Sequence, residues 1–275
     1  MQLISRLVWS LVGLLAWLRA VVSANGELEI GLVFPRDNQT YAPTKRFPVV
    51  FAIRNPKPSK HLRLSFEWDI FRGADYIDGP FDERLNNPNY TSDPYFVYGF
   101  TTAEIEGPYK VLSRVSWLHC DWEKPNTYDD IEYDFMLNET RIDISFDIKK
   151  GAQDVDLVAA TANNETCSTE TGFTITVSDE THNITDVWGG VTTDICAMMA
   201  SPSPTPTAKA CQVQVDTATA ASMSASLMAK LCDFRPEDLK PDDCPEEENS
   251  VQKLAVAGVA SFAAALGVIG FLLVA

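Results

Sequence analysis

Between Leu62 and Phe71 the chain alternates: Leu62, Leu64, Phe66, Trp68 and Ile70 are apolar, while Arg63, Ser65, Glu67 and Asp69 are polar or charged. A period of two sends the two sets to opposite faces of an extended strand, one toward a core and the other toward water. The same pattern recurs at Leu28 to Phe34, Phe47 to Ile53, Val111 to Trp117, Ile142 to Ile148 and Phe173 to Val177. Weaker runs lie at Tyr95 to Phe100, Ile131 to Met136 and Val155 to Ala160. Short strands separated by Pro, Gly and Asn clusters, with no helical repeat, specify a mainly β chain. The expected architecture is an antiparallel immunoglobulin-like β-sandwich. Trp68 in the third strand suits the buried tryptophan of that fold, whereas the second strand carries no cysteine for an antibody-type bridge.

A Pro/Ser/Thr run from Ser201 to Thr207 reads as a linker and sets the organisation: a β-sandwich over 25–197, a linker over 198–210 and a Cys-containing helical segment over 211–249. The upstream part is long enough to bury a core of its own. Downstream, Val215 to Leu231 is rich in Ala, Met and Leu and predicts one helix, with Asp216 as its N-cap. Cys120, Cys167 and Cys196 precede the linker, and Cys211, Cys232 and Cys244 follow it. If all six pair, at least one bridge crosses the linker and tethers the helical segment to the sandwich. Cys211 and Cys232 stand at opposite ends of a helix about 30 Å long and so cannot meet. That makes Cys232 with Cys244 the local loop and leaves Cys211 to reach Cys120, Cys167 or Cys196.

Oxidised cysteines require an oxidising compartment, and both ends of the sequence point to one. Residues 1–24 carry an early Arg6, an apolar run from Leu7 to Trp17 and small residues at Val22, Ser23 and Ala24, the pattern of a signal peptide. Arg19 interrupts this run before the roughly 20 apolar residues that a membrane span needs. Residues 250–275 include an uncharged apolar stretch from Leu254 to Ala275, expected to be a glycolipid-attachment (GPI) signal with Asn249 or Ser250 as the attachment site, or else a retained anchor. Acceptor sequons for N-linked glycan stand at Asn38, Asn89, Asn138, Asn164 and Asn183. The formal charge of −16 becomes more negative once Arg6 and Arg19 leave with the signal. Such acidity opposes binding to nucleic acid or to anionic head groups.

Signatures of catalysis are missing. The three histidines, His61, His119 and His182, share no zinc-site spacing, and the chain has no His-Glu-x-x-His, no Gly-x-Ser-x-Gly and no phosphate-cradling loop. No cofactor is expected. The densest carboxylate group, Asp75, Asp78, Asp82 and Glu83, is expected in a loop leaving the Trp68 strand. Its oxygens suit a calcium ion or a glycosidase acid pair, but the spacing matches neither and reads first as a solvated acidic loop. Trp117, Trp122, Trp188, Tyr95 and Tyr98 offer flat faces for sugar rings, against core packing as the ordinary role of strand aromatics. Trp122 and Trp188 fall outside the clear strands and are the better surface residues.

Leu32-Val33-Phe34-Pro35-Arg36, then Tyr41-Ala42-Pro43, then Phe47 through Pro56, resemble a family of exported ascomycete fungal proteins known only as a domain of unknown function. The likeness continues through Cys211, Asp216, Cys232 and Cys244-Pro245. It implies an address at the outer face of the plasma membrane or in the cell wall, and it brings no activity, ligand or catalytic residue. The expected protein is a non-catalytic surface glycoprotein, membrane-held by its C-terminal anchor, that contacts wall polysaccharide or another surface protein. The alternative is a carbohydrate-active enzyme or accessory factor acting on that polysaccharide.

Overall fold

A computed structural model describes residues 26–86, 88–120, 126–128, 131–133, 135–162, 167–186, 192–200, 204–207, 209–234 and 244. The chain divides into two compact units, Met1–Ala220 and Ala221–Ala275.

The first unit is built from strands. They are β1 (Gly26–Phe34), β2 (Thr40–Tyr41), β3 (Thr44–Arg54), β4 (Leu64–Arg72), β5 (Asp75–Leu85), β6 (Tyr95–Ala103), β7 (Gly107–Cys120), β8 (Asn126–Tyr128), β9 (Ile131–Tyr133), β10 (Phe135–Ile148), β11 (Gly172–Asp186), β12 (Thr192–Met199) and β13 (Thr205–Pro206). One layer runs β6-β3-β1-β11-β12, and the other runs β5-β4-β7-β10-β2. A single parallel pair, Met198 with Cys120, joins β12 to β7, and the Cys120–Cys196 disulfide closes the same corner.

Aromatic side chains fill the space between the layers. Phe47 of β3 stacks on Phe146 of β10 with ring centroids 4.8 Å apart, and Tyr109 of β7 stacks on Phe146 from 5.5 Å. Phe51 of β3 meets Phe66 and Trp68 of β4, and Trp117 of β7 stacks on Phe173 of β11. The inward residues of β4 are all buried, as its alternation dictates. Gly99 of β6 makes room for the Trp68 ring, since a Cβ there would lie 2.7 Å from the indole.

Three expectations are corrected. The sheet is mixed rather than wholly antiparallel, because β2 lies parallel to β10 and β12 parallel to β7. Alternation fixes which face is buried and carries no information about strand direction. The carboxylates Asp75 to Glu83 lie on a strand, β5: Gly73 adopts φ +59°, so the chain turns within two residues and Asp75 pairs back onto Arg72. Val155 to Ala160 is not extended, since Leu157–Ala162 forms a short helix, α1. Asp156 Oδ1 accepts from the Val158 and Ala159 N–H groups at 2.9 and 3.2 Å, a side-chain cap that favours a helical turn.

β1 is buried on both faces from Leu28 onward. Its second cover is a strap of residues 205–207 and 209–215. Thr205 and Pro206, inside the run read as a linker, pair with Thr174 and Phe173 of β11. Beyond them Lys209 Nζ reaches Glu29 Oε1 at 2.9 Å, and Val215 N–H donates to Thr161 Oγ1 of α1 at 2.9 Å. Two glycines paired across β1 and β11, Gly31 and Gly172, permit this approach. A Cβ on Gly31 would sit 2.8 Å from the Cys211 nitrogen, and one on Gly172 would sit 2.8 Å from the Thr207 oxygen.

The expected helix forms as α2, Thr217–Phe234. Asp216 caps it by accepting from Thr219 N–H at 2.7 Å, and these backbone bonds hold its carboxyl below the usual carboxylate range. The second unit carries the Cys232–Cys244 bridge.

Candidate functional site

After β1 the chain crosses from one layer to the edge of the other. Asn38 N–H donates to Ser145 O at 2.7 Å, Asp147 N–H to Gln39 O at 2.9 Å and Lys149 N–H to Tyr41 O at 3.0 Å. Ala42 N–H then donates to Gln153 O at 2.9 Å. This lacing along β10 fixes the loop and places Arg36 beneath the strap. The Arg36 N–H donates to Tyr41 Oη at 2.9 Å, and Nη1 donates to Cys211 O at 2.7 Å while resting against the sulfurs of Cys167 and Cys211.

Arg36 is 3 % exposed, and its Nε and Nη2 atoms are buried without a hydrogen-bond partner. Burial lowers its pKa, since removing a guanidinium from water disfavours the charged form. The neighbouring Tyr41 hydroxyl is pushed up to about 12, chiefly by burial, so it stays protonated at physiological pH. Both residues line a cavity of about 220 Å³ with Gln39, Thr40, Gln153 and Asp154; Asp156 and α1 complete the wall. Asp154 and Asp156 are exposed at its rim. Chemically, this is a set of hydrogen-bond donors and acceptors around a buried cation.

Apart from Cys167 and Cys211, which meet Arg36, the residues singled out by sequence fall elsewhere. All six cysteines pair, as Cys120–Cys196, Cys167–Cys211 and Cys232–Cys244, so the bridge that crosses the Pro/Ser/Thr run goes to Cys167. Asn38, Asn89 and Asn183 are exposed, and Asn138 is half-buried on β10 opposite Trp117. Asn164, Trp122, Trp188, Asn249 and Ser250 lie outside the described residues. Trp117 is a core residue with no exposed surface. Tyr95 is half-buried edge-on to Tyr90 at 5.1 Å, and Tyr98 meets Phe100 at 6.2 Å.

Two carboxylates of β5, Asp78 and Asp82, are held individually. Asp78 accepts from Thr101 Oγ1 at 2.8 Å and from Gly79 N–H at 3.0 Å, and Asp82 is bound by Arg84 at 2.7 Å and by Ser65 at 3.2 Å. Among the described residues no group of three or more His, Cys, Asp or Glu side chains is placed to hold a metal ion. Spread along an edge strand, these charges discourage pairing with another chain.

Sequence reasoning missed the Arg36 cavity. Its one trace is the arginine that ends the apolar run Leu32-Val33-Phe34-Pro35. Tyr41 and Gln153 reach it only through the loop crossing.

The class defined by these features is a mainly β, disulfide-bridged domain with a strapped outer face. The chain belongs to the family described as Domain of unknown function (DUF7136), whose model matches residues 23–244. No curated protein matches it in sequence.

Proposed function

We propose that the protein is an exported, surface-tethered and non-catalytic glycoprotein whose β domain binds extracellular polysaccharide or another surface protein. The observation that carries this reading is the complete pairing of its cysteines, which bolts the strap and the sheet corner into a fixed scaffold suited to an oxidising compartment. The exposed sequons at Asn38, Asn89 and Asn183 support it, as do the signal-like segment and the apolar stretch Leu254 to Ala275. The fungal wall address implied by the residue resemblance belongs to the same reading. Hydrogen bonds that occupy Asp78 and Asp82 favour a binding role over an acid-pair enzyme. The strand order supports an immunoglobulin-like topology, with β6-β3-β1 standing for strands E, B and A, and β5-β4-β7-β10 for strands C′, C, F and G.

Pull-down on wall polysaccharides and on surface-protein extract, using the soluble glycosylated ectodomain, tests the binding role. Retention on polysaccharide, weakened by Trp122→Ala or Trp188→Ala, is expected. Passage through every matrix without retention would remove the binding role.

A further inference from the structure

A sheet edge exposes a row of unpaired N–H and C=O groups that recruits another chain, so natural sheets blunt their edges with charge, proline or shortness. The edges here follow that rule with one exception. β5 carries Asp75, Asp78, Asp82, Glu83 and Arg84, with Pro80 beside a break in register. The stretch of β10 beyond its partner β2 alternates Glu139, Arg141 and Asp143. β12 carries Asp194 and closes onto β7 at Met198, and β2, β8, β9 and β13 span two or three residues. β6, by contrast, has nine residues with no charge and no proline. It pairs with β3 in unbroken register from Tyr95 to Thr101, and among the described residues its backbone bonds to no other element. Tyr95, Phe96, Tyr98 and Phe100 are half-buried along it.

Charge beside this edge selects the strand that it takes. Gly99 faces the opposite layer, since a Cβ there would meet the Trp68 ring, and by alternation Tyr95 and Thr101 face the same way. From that layer β5 turns two carboxylates toward them. Asp78 Oδ2 accepts from Thr101 Oγ1 at 2.8 Å, and Glu83 pairs opposite the inward-facing Phe66. Burial, and after it the Glu83 charge, raises the Tyr95 pKa. Among the described residues neither carboxylate is held in an ion pair. Tyr95 and Thr101 are six positions apart, which sets the two negative charges about 20 Å apart along the edge. We propose that β6 takes up an extended basic segment of another surface protein as an added strand, with Lys or Arg side chains about six positions apart on one face meeting Asp78 and Glu83. A second copy of this chain fits poorly. Its β6 brings no cation, and its own Asp78 and Glu83 would repel the first pair. No sequon lies on β6; the nearest, Asn89, is on the preceding loop, which Asp93 ties to the Asn55 N–H at 2.9 Å. The proposal rests on the surface-protein version of the function proposed above and names the kind of partner.

The test uses the full-length glycosylated protein in detergent micelles and a labelled nine-residue probe that alternates threonine with lysine, valine, valine and lysine. Fluorescence anisotropy reads affinity and hydrogen exchange reads the place. Binding is expected, with exchange slowed at those β6 amides that do not pair with β3. Replacing both probe lysines with glutamate, or N-methylating the probe backbone, is expected to weaken binding at least about tenfold. Glu83 is exposed, so Glu83→Gln is expected to leave the melting temperature unchanged while binding weakens about threefold. Raising salt from about 50 to about 300 mM is expected to weaken it as well. No binding at about 1 mM probe, equal binding of the glutamate probe, or slowed exchange only outside β6 would overturn the proposal. So would β6 amides that are all protected before the probe is added, whether in a monomer or in a dimer seated on this edge. If the probe fails while surface-protein extract is still retained in the pull-down, the β6 assignment falls and the surface-binding function stands. If nothing is retained, both fall.

Discussion

Replacing Cys167 and Cys211 together with alanine should remove about 4 kcal/mol of stability. The two positions are 44 residues apart, and closing a loop of that length restricts the unfolded chain by about that amount at 25 °C. The strap's other ties are weaker. The Lys209–Glu29 ion pair has its lysine largely exposed and is worth under about 1 kcal/mol. The hydrogen bonds from Thr207 N–H to Gly172 O and from Val215 N–H to Thr161 Oγ1, each 2.9 Å, contribute about 1 kcal/mol apiece. In a domain of this size, a loss of 4 kcal/mol lowers the melting temperature by about 8–16 °C. Paired urea unfolding and calorimetry of wild type and double variant would measure it, and the urea m-value should rise because the unfolded chain is freed to expand. A loss under about 1 kcal/mol with an unchanged m-value would refute the reasoning that the bridge holds the strap.

Three other substitutions or conditions probe separate parts of the structure. Gly99→Ala drives a Cβ to within 2.7 Å of the Trp68 ring and should cost about 1–3 kcal/mol in urea unfolding; a neutral effect would mean the indole moves freely. Trp117→Ala empties a fully buried site against Phe173 and should cost about 3–5 kcal/mol by the same assay, whereas a cost near zero would place Trp117 at a surface. The Tyr41 hydroxyl is raised to about 12 from an ordinary 10, so its stabilising contribution is whole below pH 10 and is lost as pH climbs toward 12. Roughly 3 kcal/mol should disappear across that window, and Tyr41→Phe should flatten the slope; an identical slope in the variant would clear Tyr41 of the effect.

The strands were legible where one face meets the core and the other meets water. β4 shows this alternation residue by residue, and its inward side chains are buried as expected. β1 is buried from Leu28 onward because the strap covers its outer face, a fact carried by residues about 180 positions away. Cysteine parity required a bridge across the Pro/Ser/Thr run but could not choose Cys167, since the choice depends on where the connection before β11 lies in space. The short α1 was misread because its apolar residues fit either period and the cap on Asp156 decided the outcome. The Arg36 cavity was hidden for a related reason. Arg36, Tyr41 and Gln153 are brought together by a loop that changes layers, and no local pattern encodes that crossing.

The central claim, that this is a surface-tethered glycoprotein with a fully oxidised scaffold, is tested most directly on intact cells treated with a phosphatidylinositol-specific phospholipase. The account predicts release of a product that begins near residue 25, ends near Asn249 or Ser250, carries N-linked glycan and has no free thiol. A product that stays with the membrane, retains Leu254 to Ala275, lacks glycan and titrates six thiols would contradict it.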